Sequence, residues 1–163
     1  MIASALLCGS ALAISGCQTV QGQLNTGNPL SQPVLKSAIM TTDGTKKEIG
    51  QVYLRPVDNG IQVYGKVMGL QPGETVALHI HETGSCGNMG EDAGGHFNPD
   101  NYPHSNPDDL KGHAGDLPNI TADEHGVAPI NYVNKQIPAA QAGKYSVNRL
   151  AFIVHSGADN YVS

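Results

Sequence analysis

From residue 34 onward the chain reads as short apolar runs separated by turn residues, at the intervals of a sandwich or barrel. Residues 34–42 form the first candidate strand, and Thr42-Asp43-Gly44-Thr45 turns it back, because Asp-Gly readily takes positive φ. Ile49, Val52 and Leu54 belong to the second strand, and Asp58-Asn59-Gly60 leads into a third. There Ile61, Val63, Gly65 and Val67 alternate with Gln62, Tyr64 and Lys66, the period of two that a strand buried on one face requires. After the turn Leu70-Gln71-Pro72-Gly73-Glu74, residues 75–82 make a fourth strand, on which His79 and His81 point to the same side. Residues 83–116 lose all periodicity and are rich in Gly, Pro, Asn and Asp; a loop that long inside a small domain points to function. Residues 117–121 and 127–133 flank the turn Asp123-Glu124-His125-Gly126, and the β-branched run 150–155 is the last strand. The pattern predicts an all-β fold.

Composition supports that class. A chain of 163 residues suits one domain with a real core, and 20 Gly and 10 Pro punctuate strands where they would break helices. The formal charge of −5 excludes nucleic acid as a partner, since that needs a basic face. The first residues differ from the rest. Residues 2–14 are apolar and run into Ser15-Gly16-Cys17, similar to the export signal of a bacterial lipoprotein, although no Lys or Arg precedes the run. The expected organisation is a signal peptide over 1–16, a polar flexible tether over 17–33 beginning at a lipidated Cys17, and a folded domain over 34–163. Contact with a membrane is expected only through that anchor, on the periplasmic side of a bacterial envelope.

The chemistry is concentrated between His79 and Asp116, a stretch of 38 residues that holds His79, His81, His96, His104, His113 and Asp116. Neutral imidazoles with a carboxylate suit zinc and copper. One imidazole, having two nitrogens, can also bridge two metals. No Gly-x-Ser-x-Gly elbow, phosphate loop or His-Glu-x-x-His is present.

The residues around these ligands carry a resemblance. Leu78-His79-Ile80-His81-Glu82, Gly94-Gly95-His96-Phe97-Asn98-Pro99, Gly112-His113-Ala114-Gly115-Asp116-Leu117-Pro118 and Ile153-Val154-His155-Ser156-Gly157-Ala158-Asp159-Asn160 resemble copper/zinc superoxide dismutase, in its bacterial periplasmic branch. The resemblance covers residues 34–162, and successive ligands are separated by 2, 15, 8, 9 and 3 positions, as in that family. It implies an antiparallel Greek-key β-barrel or sandwich, immunoglobulin-like, with a long metal-binding loop. It implies copper on His79, His81, His96 and His155, which are then the catalytic residues, and zinc on His96, His104, His113 and Asp116, with His96 bridging. Asp159 matches the family's aspartate that links the two sets of ligands, and superoxide is the implied substrate. His125 matches no ligand position and is expected in solvent. In the family the loop cysteine joins the closing strand, and an arginine just before that strand guides superoxide; Cys86 matches the cysteine, but none follows it, and Arg149 lies before His155. The expectation is therefore an incomplete C-terminal strand, an unpaired barrel edge and an unpaired thiol at Cys86. A non-catalytic periplasmic copper- and zinc-binding protein on the same scaffold is the alternative function.

Overall fold

The structure, a computed structural model, describes residues 7–11 (backbone), 35–43, 45–140 and 142–162. Residues 1–6 and 12–16 of the segment expected to be an export signal, and the expected tether with Cys17, lie outside the described residues. Nine strands are present among the described residues: β1 (Leu7–Ala11), β2 (Leu35–Thr41), β3 (Glu48–Val57), β4 (Gly60–Met68), β5 (Thr75–Val76), β6 (Leu78–His81), β7 (Ile120–Thr121), β8 (Val127–Asn134) and β9 (Ala151–Val154). They form a seven-stranded sheet in the order β6-β9-β1-β2-β3-β4-β8, and β5 with β7 forms a second sheet of two. Every pairing is antiparallel. No helix among the described residues is long and apolar enough to cross a membrane.

The period of two sets the hairpins. Ile61, Val63 and Val67 of β4 are fully buried, while Gln62 and Tyr64 are half-buried and Lys66 is exposed on the outer face. Val52 and Leu54 on β3 face the same core, and Leu54 lies opposite Val63 in the register. Leu78, Ile80, Leu117, Ile130, Phe152 and Val154 complete a single cluster with these residues. Each such fully buried side chain contributes about 1.5–3 kcal/mol of transfer free energy. On the outer face Tyr53 and Tyr64 stack across the strands at 5.3 Å, with Lys36 and Arg55 over their rings.

Two expectations change. The strand predicted over 75–82 is broken in two, because the Ala77 N–H donates to Gly157 O and the Ala77 carbonyl accepts from His155 N–H. β5 therefore pairs with β7 and β6 with β9, in different sheets. The backbone of β1, within the segment expected to be a signal peptide, lies between β2 and β9 and pairs with both. Cys86 is disulfide-bonded and is not the unpaired thiol expected. The expectation takes Cys8 to leave with the signal peptide and Cys17 to carry lipid, and no cysteine follows His155. The chain's other two cysteines, Cys8 and Cys17, lie upstream, and the bonding partner is outside the described side chains.

Candidate metal centre

Three of the segments that carry the ligands are tied together by a ring of main-chain hydrogen bonds. Ile80 N–H donates to Gly115 O (2.9 Å), Gly115 N–H to Phe97 O (2.8 Å) and Phe97 N–H to Ile80 O (2.8 Å). Ile80 stands between His79 and His81, Phe97 follows His96, and Gly115 lies between His113 and Asp116. The ring thus sets every ligand segment but that of His104 and His155 by backbone geometry. Two isolated bridges, His79 with Asp116 and His81 with His96, reinforce it. Only glycine fits at position 115, since a Cβ there would run into the Ile80 carbonyl and the Phe97 amide.

The rest of the loop is fastened to β8. Tyr132 donates its hydroxyl to Pro107 O at 2.7 Å, and burial pushes that phenol up to about 12. Asn134 donates to Ala114 O at 2.7 Å, and Gln136 to His113 O at 3.2 Å. A short 3-10 segment, Asn88–Ala93, precedes Gly94, whose carbonyl accepts from His81 Nδ1 at 2.8 Å.

Two quartets result. His79, His81, His96 and His155 converge, as do His96, His104, His113 and Asp116, with donor atoms within 4.8 Å of one another in each set. His96 belongs to both. In the first quartet the hydrogen bonds fix the tautomers, because a carbonyl or a carboxylate can only accept. His81 Nδ1 donates to Gly94 O and His79 Nε2 donates to Asp159 Oδ2 at 2.7 Å, which leaves lone pairs on His81 Nε2 and His79 Nδ1. Those two atoms and His155 Nε2 are buried and have no hydrogen-bond partner. Buried polar atoms without partners are costly, and three of them in one cluster fit a metal ion. Burial, followed by the neighbouring His96 and His155 charges, holds His79 down at about 3; burial likewise holds His81 at about 4 and depresses His155. Neutral imidazole is the form that ligates.

The second quartet centres on Asp116, which is fully buried. His96 Nδ1 lies 2.8 Å from Asp116 Oδ1, His104 Nδ1 2.9 Å from Asp116 Oδ2, and His96 Nδ1 3.3 Å from His113 Nδ1. Four ligands about 2 Å from a tetrahedral zinc stand about 3.3 Å apart, so this donor set fits zinc. Burial pushes Asp116 up but is outweighed by the His96 hydrogen bond and the Ser105 N–H, which hold the carboxyl below its ordinary range.

Asp159 touches both quartets. Its Oδ2 accepts from His79 Nε2, and its Oδ1 lies 3.0 Å from His104 Nε2. Burial raises its pKa, but bonds to His104, Tyr161 N–H and His79 prevail and hold the carboxyl at about 2. His104, flanked by two carboxylates, is raised despite burial. His125 is exposed, 3.6 Å from Glu124, and joins neither quartet. Arg149 is exposed just ahead of β9. Sequence reading missed Gly115, Tyr132, Asn119 and Tyr161; of these only Gly115, between two ligands, carried a local signal.

Residues 48–163 match the family model for copper/zinc superoxide dismutase. Superoxide dismutase [Cu-Zn] 3 of Arabidopsis thaliana is 39% identical over 108 residues, which are 66% of this chain and 64% of that protein. The chain thus spans less than two thirds of that relative. A SOD-like protein from Bacillus subtilis superposes with a TM-score of 0.68 at 30% identity, over 78% of this chain and 87% of that one. Cu/Zn superoxide dismutase from Brucella abortus superposes at 0.66 and 27% identity, over 79% and 87%. The chain belongs to the copper/zinc superoxide dismutase family. That family uses copper and zinc, and the two quartets can hold metal ions.

Proposed function

We propose that this protein is a superoxide dismutase, catalysing 2 O₂⁻ + 2 H⁺ → O₂ + H₂O₂, with copper on His79, His81, His96 and His155 and zinc on His96, His104, His113 and Asp116. The observation that carries the reading is the convergence of three buried, unpartnered imidazole nitrogens on a histidine shared with a second, carboxylate-containing quartet. Copper bound there would supply a Cu(II)/Cu(I) couple that oxidises one superoxide and reduces the next. The chain's own contribution is geometry and protons. Gly94 and Asp159 hold His81 and His79 in single tautomers, so the ligand nitrogens are set before metal arrives. His96 keeps Nδ1 turned to Asp116 and His113, which leaves Nε2 as the site that holds a proton for peroxide formation and gives it up. Metal analysis of the purified chain, followed by a superoxide-consumption assay on the same sample, tests the reading. Copper and zinc near one each per chain with rapid consumption is the expected result. Both metals without turnover would instead make it a copper- and zinc-binding protein on a dismutase scaffold.

The proposal includes a periplasmic location, with lipid on Cys17 holding the domain at a membrane surface in a processed form that has shed residues 1–16, and with them β1 and Cys8, and in which Cys86 keeps no upstream disulfide partner. Its support is the Ile14-Ser15-Gly16-Cys17 junction and the polar stretch that follows. Mass spectrometry of the mature N-terminus is expected to find an acylated Cys17; a free amine at another residue, with no acyl mass, would defeat it.

A further inference from the structure

Among the described residues no strand follows β9, yet Asp159 touches a ligand of each quartet. Two main-chain bonds fix the start of the segment, His155 N–H to Ala77 O at 3.0 Å and Ala77 N–H to Gly157 O at 2.8 Å. At Asp159 a side chain takes over. Asn119 Oδ1 accepts from Asp159 N–H at 2.9 Å, and Asn119 Nδ2 donates to Asp159 O at 2.9 Å. One carboxamide therefore pairs with both main-chain groups of a single residue, as the backbone of a neighbouring strand does in an antiparallel ladder. The Asn119 N–H donates to the Tyr161 hydroxyl at 2.8 Å, and Tyr161 N–H returns to Asp159 Oδ1 at 2.8 Å. Asn119 also stands three residues beyond Asp116, on the segment that supplies the second quartet's carboxylate.

We propose that Asn119 is a positioning residue for both metal centres, acting only through Asp159. This rests on the metal reading above. With Asn119 in place, the Asp159 carboxylate is fixed against His79 Nε2 and His104 Nε2, and the lone pairs of those rings stay aimed at their sites. Without it, residues 158–162 keep no main-chain partner on this side, and one carboxylate shift misorients a ligand of each quartet at once. Copper and zinc retention are thereby linked through a residue that touches neither metal.

The test is a double-mutant cycle on the full chain: wild type, Asn119→Ala, Asp159→Ala and the double variant. Copper and zinc dissociation constants are read by chelator competition, and the Cu(II) electron paramagnetic resonance spectrum is recorded on the same samples. Asn119→Ala is expected to weaken both metals about tenfold, the low end of the range for outer-shell partners, and to shift the Cu(II) spectrum. In the Asp159→Ala background it should change neither constant. Where Asn119→Ala does not fold, Asn119→Asp keeps the acceptor at Oδ1, loses the donor to Asp159 O, and is read the same way. Equal losses in both backgrounds would overturn the inference alone. A wild-type chain that takes up neither metal would overturn the metal reading and the inference with it.

Discussion

The division of labour among the histidines can be tested side chain by side chain. His155 belongs only to the all-imidazole quartet and His113 only to the one with Asp116. Replacing His155 with alanine should weaken copper by more than about 100-fold, beyond the usual cost of an outer-shell partner, while zinc stays bound. His113→Ala should lose zinc first, and equal loss of both metals in both variants, read by metal analysis, would show the split to be wrong. Protonation follows from the same geometry. His79 and His81 sit at about 3 and about 4, below the ordinary value of 6.5, so the unfolded chain binds protons at these sites below about pH 6.5 and the folded chain does not. His113 and His155 are lowered too, and Asp159, at about 2, adds a loss that begins below the ordinary carboxylate range near 3.8. His104 is raised and opposes the trend, favouring the fold at low pH and losing that contribution as pH rises through its folded value. Four lowered histidines against one raised give the sign: the metal-free protein should lose thermal stability steadily from pH 7 to pH 4. A Tm that is flat or rises over that range would contradict the burial of neutral imidazoles.

At the scale of elements, the ring joining Ile80, Phe97 and Gly115 is what converts a loop into a site. Gly115→Ala puts a methyl group against the Ile80 carbonyl, and the neighbour is backbone, so the strand itself must move. An overpacking cost of about 1–3 kcal/mol is expected, with copper and zinc lost together, because the ring carries ligands of both quartets. A variant that binds both metals as wild type does would remove the ring from the account. The contrast with the sequence is instructive here. Alternation along β4 and the placement of His79 and His81 on one side were legible, since side-chain direction is a local property. That residues 75–82 split between two sheets was not, because the break at Ala77 is made by residues 155–157, about eighty positions away. Residues 117–121 likewise shrink to β7, as Leu117 turns into the core while Asn119 bonds to Asp159 and Tyr161. The two quartets were legible because ligand identity and spacing are written in the chain. Their supports were not, since Tyr132, Asn134 and Asn119 act on partners 20 or more residues distant.

For the whole molecule, the sheet and the metal loop should differ in what holds them. The sheet is anchored by the large cluster around Val52, Ile61, Val63 and Leu78, and its β3, β4 and β8 ladders owe nothing to a metal. Residues 83–116 contribute just four buried apolar side chains, Ala93, Phe97, Pro107 and Ala114. The loop's order rests instead on Asp116, on the bonds to β8 and on whatever binds between the histidines. A ligand that binds only the folded state adds stability by mass action, about 4 kcal/mol at a free concentration 1,000 times its dissociation constant. Removing both metals should therefore lower Tm markedly, and the losses should be uneven. Amide hydrogen exchange in the stripped protein should accelerate across 83–116 and 155–162, while β3, β4 and β8 stay protected. Restoring zinc alone should recover protection near His104 and His113, and adding copper should extend it to His155. Acceleration spread evenly over sheet and loop would mean that the metals stabilise the molecule as one cooperative unit, and that the loop is not a separately ordered layer on a self-sufficient sheet.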